Sequence, residues 1–186
     1  MTEAHSLAGR LLLAMPGMPD PRFDAAVLAL CIHDTEGALG IGIGDVLDNV
    51  TLHDLLDDLE IPRGVAPDCD VHHGGPVEPQ RGFVLHSPDW SGDGTLAVGR
   101  HWSLTGSRDV LLAISQGTGP KHWLVALGYA GWGAGQLDSE MREYGWHAAD
   151  GRAAIVFDTP TEARWVQTWR AEGIDPSHLT IATGRA

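Results

Sequence analysis

Short apolar runs, each ended by glycine, proline or a polar cluster, recur along the whole chain. Runs of this length are typical of β-strands, and the glycines and prolines between them predict tight turns. We predict strands at residues 10–15, 26–32, 38–43, 70–73, 82–87, 95–98, 101–104, 122–127 and 153–157. The strands at 70–73 and 82–87 are expected to pair as a hairpin across Gly74-Gly75-Pro76.

Helical periodicity interrupts the strands at residues 51–59, 107–116, 136–144 and 160–172. In the first of these segments four leucines share one face, and Thr51 with Asp54 predicts a capping box at its start. A second capping box is predicted at Thr159 and Glu162. Because strands and helices mix without strict alternation, we predict an α+β fold with a mixed sheet. The length of 186 residues suits a single domain over residues 1–186.

The charge balance argues against one class of partner. The chain has 25 acidic and 12 basic residues and a net charge of -13. Nucleic-acid binding depends on Lys and Arg at phosphates, so direct binding to DNA or RNA is not expected. No apolar stretch approaches the roughly 20 residues that cross a bilayer, so no membrane span is expected. With only two cysteines, Cys31 and Cys69, the sequence fits a reducing cytoplasm better than a secreted disulfide scaffold.

Six motifs occur in a fixed order along nearly the whole chain. They lie at residues 9–16 (GRLLLAMP), 33–38 (HDTEGA), 74–77 (GGPV), 81–87 (RGFVLHS), 107–111 (SRDVL) and 127–137 (LGYAGWGAGQL). Together they resemble the AlgH family, also called YqgE-like. The resemblance implies an α+β fold with a coiled sheet flanked by helices. It also implies a cytosolic bacterial protein with a role in transcriptional regulation, and it implies neither an enzymatic reaction nor a cofactor. With the acidic charge and the lack of catalytic spacing, this favours a regulator that acts through protein partners.

One segment departs from the family pattern. Where the family usually has an asparagine, a basic residue and a proline, this chain has Gly44, Asp45 and Val46. A site built on that asparagine would be altered or lost here.

The motif at 127–137 is the first candidate site. Its glycines are expected to form a loop between the strand at 122–127 and the helix at 136–144, and backbone N–H groups at a helix start can hold a phosphate. However, Asp138 and Glu140 in the expected first turn would repel an anion, and the Lys-Ser/Thr pair of a phosphate loop is absent. The favoured interpretation is therefore a tight, Trp-bearing turn. The alternative is a small-molecule or nucleotide-binding enzyme that uses the glycine-rich loop at 128–135.

Glycine and polar residues at predicted strand ends suggest one shared surface or pocket, because sites often form where such ends meet. The candidate residues are Gly74, Gly75, Pro76, His86, Ser87, Gly131, Trp132, Gly133 and Gln136. His72, His73 and His86 lack the spacing of a metal site, so no metal is expected. The simpler role for His86 and Ser87 is hydrogen bonding to turn backbone. No residue is singled out as catalytic, and a non-enzymatic role is favoured.

Cys31 is the second candidate site. On a strand, positions 31 and 33 share a face, and an imidazolium at His33 would lower the thiol pKa and make Cys31 redox-sensitive. The favoured interpretation is a small buried hydrophobic residue in the apolar run 26–32, because free cysteine is among the most buried residue types, and a thiol redox sensor is the alternative. The sequence leaves the ligand, the protein partner and the oligomeric state open.

Overall fold

The computed structural model describes residues 5–17, 20–143 and 145–179. Within these residues the chain forms ten strands: β1 (Leu11–Ala14), β2 (Val27–Asp34), β3 (Gly37–Gly42), β4 (Val46–Thr51), β5 (Asp70–His73), β6 (Val77–His86), β7 (Leu96–Val98), β8 (Trp102–Thr105), β9 (Trp123–Gly133) and β10 (Trp146–Ala149). The same residues form five α-helices: α1 (Leu52–Asp58), α2 (Arg108–Gln116), α3 (Gln136–Arg142), α4 (Ala153–Phe157) and α5 (Arg164–Ala171).

All ten strands belong to one curled sheet. Eight of them follow the order β10-β1-β2-β3-β9-β6-β8-β7; of the other two, β5 pairs with β9 and β4 pairs with β5. Neighbouring strands are antiparallel except β5 and β9, which run parallel. The sheet is therefore mixed, and the predicted α+β class is confirmed.

The long strand β9 organises the sheet. Along one edge its first half pairs with β5 (His72 opposite Ala126) and its second half with β3 (Gly40 opposite Ala130). Its other edge pairs with β6. Since β5 and β6 lie on opposite edges of β9, the predicted hairpin between them is wrong.

Gly74-Gly75-Pro76 is instead the segment that carries the chain across β9. A Cβ atom on Gly75 would lie 2.1 Å from the carbonyl carbon of Tyr129, and one on Gly128 would lie 2.4 Å from the carbonyl oxygen of Gly75. Both glycines have positive φ angles, +154° and +76°. Only residues without a side chain allow the two backbones to approach this closely. These glycines of the two motifs therefore have a direct structural role.

Three groups of buried side chains stabilise the fold. The main core lies between the sheet and helices α4 and α5, and it contains Trp102 and Trp169. A second group packs α1 and α2 against the sheet. The third packs α3 against β1, β2, β3 and the end of β9, and it contains Trp132 and Trp146.

The predicted glycine loop before α3 differs in the structure. The glycines at 128–133 continue strand β9, so the predicted loop is wrong, and only Ala134 and Gly135 separate β9 from α3. Backbone pairing with β3 and β6 outweighs the low strand propensity of glycine here. Helix α3 begins at Gln136 as predicted. Glu140 lies beyond its first turn, and Tyr144 falls outside the described residues.

Two predictions for the C-terminal region are wrong. Residues 153–157 form helix α4 rather than a strand, because a short apolar run has the same pattern in a buried helix and in a buried strand. The predicted capping box at Thr159 and Glu162 does not form, since the Thr159 hydroxyl donates to the Ala154 carbonyl. By contrast, the capping box between Thr51 and Asp54 is confirmed. The strands β4 and β10 were not predicted.

Candidate functional site

A cavity of about 330 Å³ opens where the segment that crosses β9 meets the end of β9 and helix α3. We call it the aromatic cleft. Its described lining residues are Asp20, Arg22, Phe23, Pro76, Val77, Gly131, Trp132, Gln136, Glu140, Glu143, Gly145 and Trp146. Four of them, Pro76, Gly131, Trp132 and Gln136, belong to the surface predicted from the sequence.

Three aromatic rings form the apolar wall of the cleft. The rings of Phe23 and Trp146 have centroids 5.3 Å apart at an interplanar angle of 70°. Those of Trp132 and Trp146 are 5.9 Å apart at 84°. Edge-to-face contacts of this kind are favourable aromatic pairings, so the three rings support one another and form a corner rather than a flat stack.

Glu140 fixes this wall. Its Oε2 accepts hydrogen bonds from the indole Nε1 of Trp132 and of Trp146, each at 2.9 Å. Its Oε1 accepts one at 3.0 Å from Nε2 of Gln136, whose Oε1 in turn accepts from the backbone N–H of Gly133. Buried indole N–H groups require partners, and one carboxylate serves both. The motif at 127–137 therefore provides both an aromatic side chain and the residues that hold it.

The charges in the cleft do not cancel. Arg22 donates from Nε and Nη2 to Asp20, with the shortest contact at 2.7 Å, and this hydrogen bonding lowers the pKa of Asp20 and raises that of Arg22. Glu140 and Glu143 make no ion pair with any residue in the described ranges. The lining thus contains one neutralised pair and two carboxylates without a cationic partner.

The other predicted glycines lie next to the cleft. Gly74 and Gly75 line a recess of about 80 Å³ that shares Arg22, Phe23 and Pro76 with it. Gly44 and Asp45, at the departure from the family pattern, line the same recess. A change of residue type in that segment therefore alters a surface beside the cleft and leaves the cleft's own lining intact.

His86 and Ser87 do not reach this site. The side chain of His86 is fully buried near the other end of β9, where its Nδ1 donates to the Ser87 carbonyl and its Nε2 accepts from the Thr105 hydroxyl at 2.8 Å. Burial lowers the pKa of His86. Ser87 hydrogen-bonds Asp89 and the backbone of His122. These contacts fit the simpler interpretation, in which both residues stabilise a turn.

Cys31 is buried in the main core, with 4% of its surface exposed, and burial raises its thiol pKa to about 12. The pairing of β2 with β3 shifts between Leu30 and Ile32, which places Cys31 at an irregularity. His33 makes its contacts elsewhere, with the Leu7 N–H and with Asp138. The structure therefore gives Cys31 neither the neighbour nor the exposure that a reactive thiol needs.

A buried polar network that the sequence did not indicate joins the C-terminal helices to the sheet. Arg164 donates to the carbonyl of Ile43 at 2.8 Å, to that of Ile155 and to Nε2 of His72 at 2.7 Å. Nδ1 of His72 donates to the Val125 carbonyl. Burial, with the charge of Arg164, lowers the pKa of His72 to about 4, and burial lowers that of Arg164 to about 10. The network ties α5 to the backbone of the sheet and of α4, and its two charged or titratable members do not line the aromatic cleft or the adjacent recess.

Known proteins place the chain in a family. The model of the AlgH-like family matches residues 11–177, and the chain belongs to that family. A UPF0301 protein of Novosphingobium aromaticivorans is 59% identical over the full length of both chains. Another of Rhizorhabdus wittichii is 55% identical, also over the full length of both.

Two solved structures have the same fold. The solution structure of AlgH from Pseudomonas aeruginosa superposes with a TM-score of 0.80 at 38% identity, and the match covers 100% of this chain and 99% of that one. A crystal structure of a Corynebacterium diphtheriae protein gives a TM-score of 0.71 at 18% identity, over 96% of this chain and 92% of that one. The predicted resemblance to the AlgH family is thereby confirmed. Among the described residues no helix has the length and apolar character that a bilayer crossing requires.

Proposed function

We propose that this chain is a binding protein and that the aromatic cleft is its ligand site. The observation that carries the proposal is a cavity of about 330 Å³ walled by three aromatic rings and fixed by one carboxylate. Ligand sites typically enclose about 300–1,000 Å³ and combine apolar walls with a few oriented polar groups. The cleft has this composition, and the two glycine-rich motifs of the family meet at it.

The residues of the cleft favour binding over catalysis. The described lining contains no Ser, Thr, Cys, His or Lys, so its acid–base groups are the carboxylates of Asp20, Glu140 and Glu143, and Asp20 is paired with Arg22. Glu140 is already occupied by two indole N–H groups and an amide. The nucleotide-binding alternative loses its main support, because the glycines at 128–133 are paired within the sheet instead of forming an open loop.

We further propose that binding in the cleft regulates the association of a cytoplasmic protein with a protein partner, and that any effect on transcription is exerted through that partner. The net charge of -13 supports an indirect route, since it repels the phosphate backbone. The cleft supplies a place at which a small molecule or a partner's side chain can be sensed.

Nuclear magnetic resonance of the ¹⁵N-labelled protein tests the site. Neutral, anionic and cationic small organic probes are added in turn while the indole N–H signals are followed. At least one probe class is expected to shift the signals of Trp132 and Trp146. The indole signals of Trp102 and Trp169, both buried in the main core, are the internal control and should not move. If no probe class shifts Trp132 or Trp146, the cleft is not a ligand site.

A further inference from the structure

We infer that the ligand of the aromatic cleft carries an organic cation, an ammonium or a guanidinium group. This inference rests on the proposed function and specifies the chemistry of the same site. The shared chemistry can come from a free amine or from the side chain of a partner protein, and the experiment below separates these sources.

The charge of the cleft favours a cation. Asp20 and Arg22 neutralise each other through a forked contact, which leaves Glu140 and Glu143 as the net charge of the described lining. The partners of Glu140 are neutral N–H groups, and Glu143 pairs with no described cation. A cation in the cleft would reduce this charge from two negative charges to one, whereas an anion would add a third negative charge at close range.

The aromatic wall of the cleft also favours a cation. Phe23 and Trp132 each pack edge to face against Trp146 in the wall of the cleft, and the guanidinium carbon of Arg22 already lies 5.6 Å from the centre of the Phe23 ring. Aromatic faces attract cations through the ring quadrupole, and several rings around one space form the cage that recognises alkylated ammonium groups. Aromatic rings with nearby carboxylates favour a cation over a neutral apolar group of the same shape.

The aromatic wall is held in place before a ligand arrives. One carboxylate fixes two of the three rings, and Gln136 links that carboxylate to the backbone of β9 through Gly133. A wall with fixed rings loses little conformational entropy on binding. A volume of about 330 Å³ holds a choline-sized molecule or the end of one arginine side chain.

Two matched pairs of probes test the inference by calorimetry and by the indole signals of Trp132 and Trp146. Choline is compared with dimethylbutanol, its uncharged carbon isostere. N-acetylarginine methylamide is compared with N-acetylcitrulline methylamide, which has the same shape without the charge. In at least one pair the charged member is expected to bind about tenfold or more tightly, and added salt should weaken it. Preference for choline indicates a free amine, and preference for the arginine derivative indicates a protein side chain.

Two variants locate the charge that matters. Glu143→Gln, on the exposed end of α3, should weaken binding of the preferred cation about three- to tenfold and leave its neutral isostere unchanged. Asp109→Asn removes the same charge from α2, outside the cleft lining, and should change nothing. Binding of a neutral or anionic probe at the same indoles, without preference for the cation, would overturn this inference and leave the cleft as a ligand site. If none of the probes binds, both the proposed ligand site and its preference for a cation are overturned.

Discussion

At the scale of single residues, Glu140 links folding to the candidate function. Its carboxylate satisfies two indoles that lie in the third group of buried side chains, and it also faces the cleft. Deleting this side chain should lower the stability of the fold more than removing its charge alone, because deletion leaves buried donors without partners.

We therefore expect Glu140→Gln to keep the fold and Glu140→Ala to destabilise it. The amide oxygen of glutamine can still accept from both indoles, so the free energy of unfolding should fall by about 1 kcal/mol or less. Alanine leaves both indole N–H groups unpaired and should cost about 2–4 kcal/mol. Urea denaturation followed by circular dichroism measures both values. Equal stability of the two variants would show that the carboxylate does not hold the rings.

His72 gives a pH-dependence that also belongs to this scale. Its pKa of about 4 in the folded protein lies below the ordinary value of 6.5, so the unfolded chain binds a proton that the folded chain does not. Stability is full above about pH 6.5 and falls as the pH drops towards 4, by about 3 kcal/mol in total. The measurement is the difference between denaturation curves of the wild type and His72→Gln across this range. The variant should lose this part of the slope, and an unchanged slope would contradict the assignment.

At the scale of elements, the crossing of β9 is the feature on which the sheet depends. Strands β5 and β6 lie on opposite edges of β9 because Gly75 and Gly128 let two backbones approach closely. The same crossing places Pro76 against the end of β9, and so it forms one side of the cleft.

Gly75→Ala should therefore destabilise the protein far more than a change at an open glycine with a positive φ angle. Its Cβ would lie 2.1 Å from a backbone carbon, so the strands must move apart, and we expect a loss of about 3 kcal/mol or more. Gly94→Ala is the control, since it has φ +70° and open space around it, and it should cost about 1 kcal/mol. Thermal unfolding compares the two. Equal losses would mean that the crossing tolerates a side chain.

Elements with local determinants were predictable from the sequence. The capping box at Thr51 is set by neighbouring residues and forms as expected, and α2 ends at Gln116 as predicted. The course of β9 through its glycines and the helix at 153–157 depend on partners that are distant in the chain, so local patterns could not indicate them.

Only the part of the cleft that lies within a sequence motif was predictable. Trp132 and Gln136 belong to one motif and were candidates. Phe23, Trp146 and Glu143 reach the cleft only through the tertiary fold, and their types alone do not mark them. Glu140 lies eight residues after Trp132 and six before Trp146, and no sequence pattern at these spacings indicates that its carboxylate binds both indoles.

At the scale of the whole molecule, the described residues of this acidic chain place an aromatic cleft beside the central strand β9. The same arrangement suits recognition of a cation and disfavours contact with a phosphate backbone. Regulation through a bound cation and a protein partner is consistent with both properties.

The most direct test of this account is the position of a bound cation in solution. Isotope-filtered nuclear Overhauser measurements on the complex with the tighter-binding of the two cationic probes report which protons of the protein touch its charged group. The account predicts contacts from that group to the ring protons of Phe23, Trp132 and Trp146. Contacts confined to other residues, or no contacts at saturating concentrations of both probes, would contradict it.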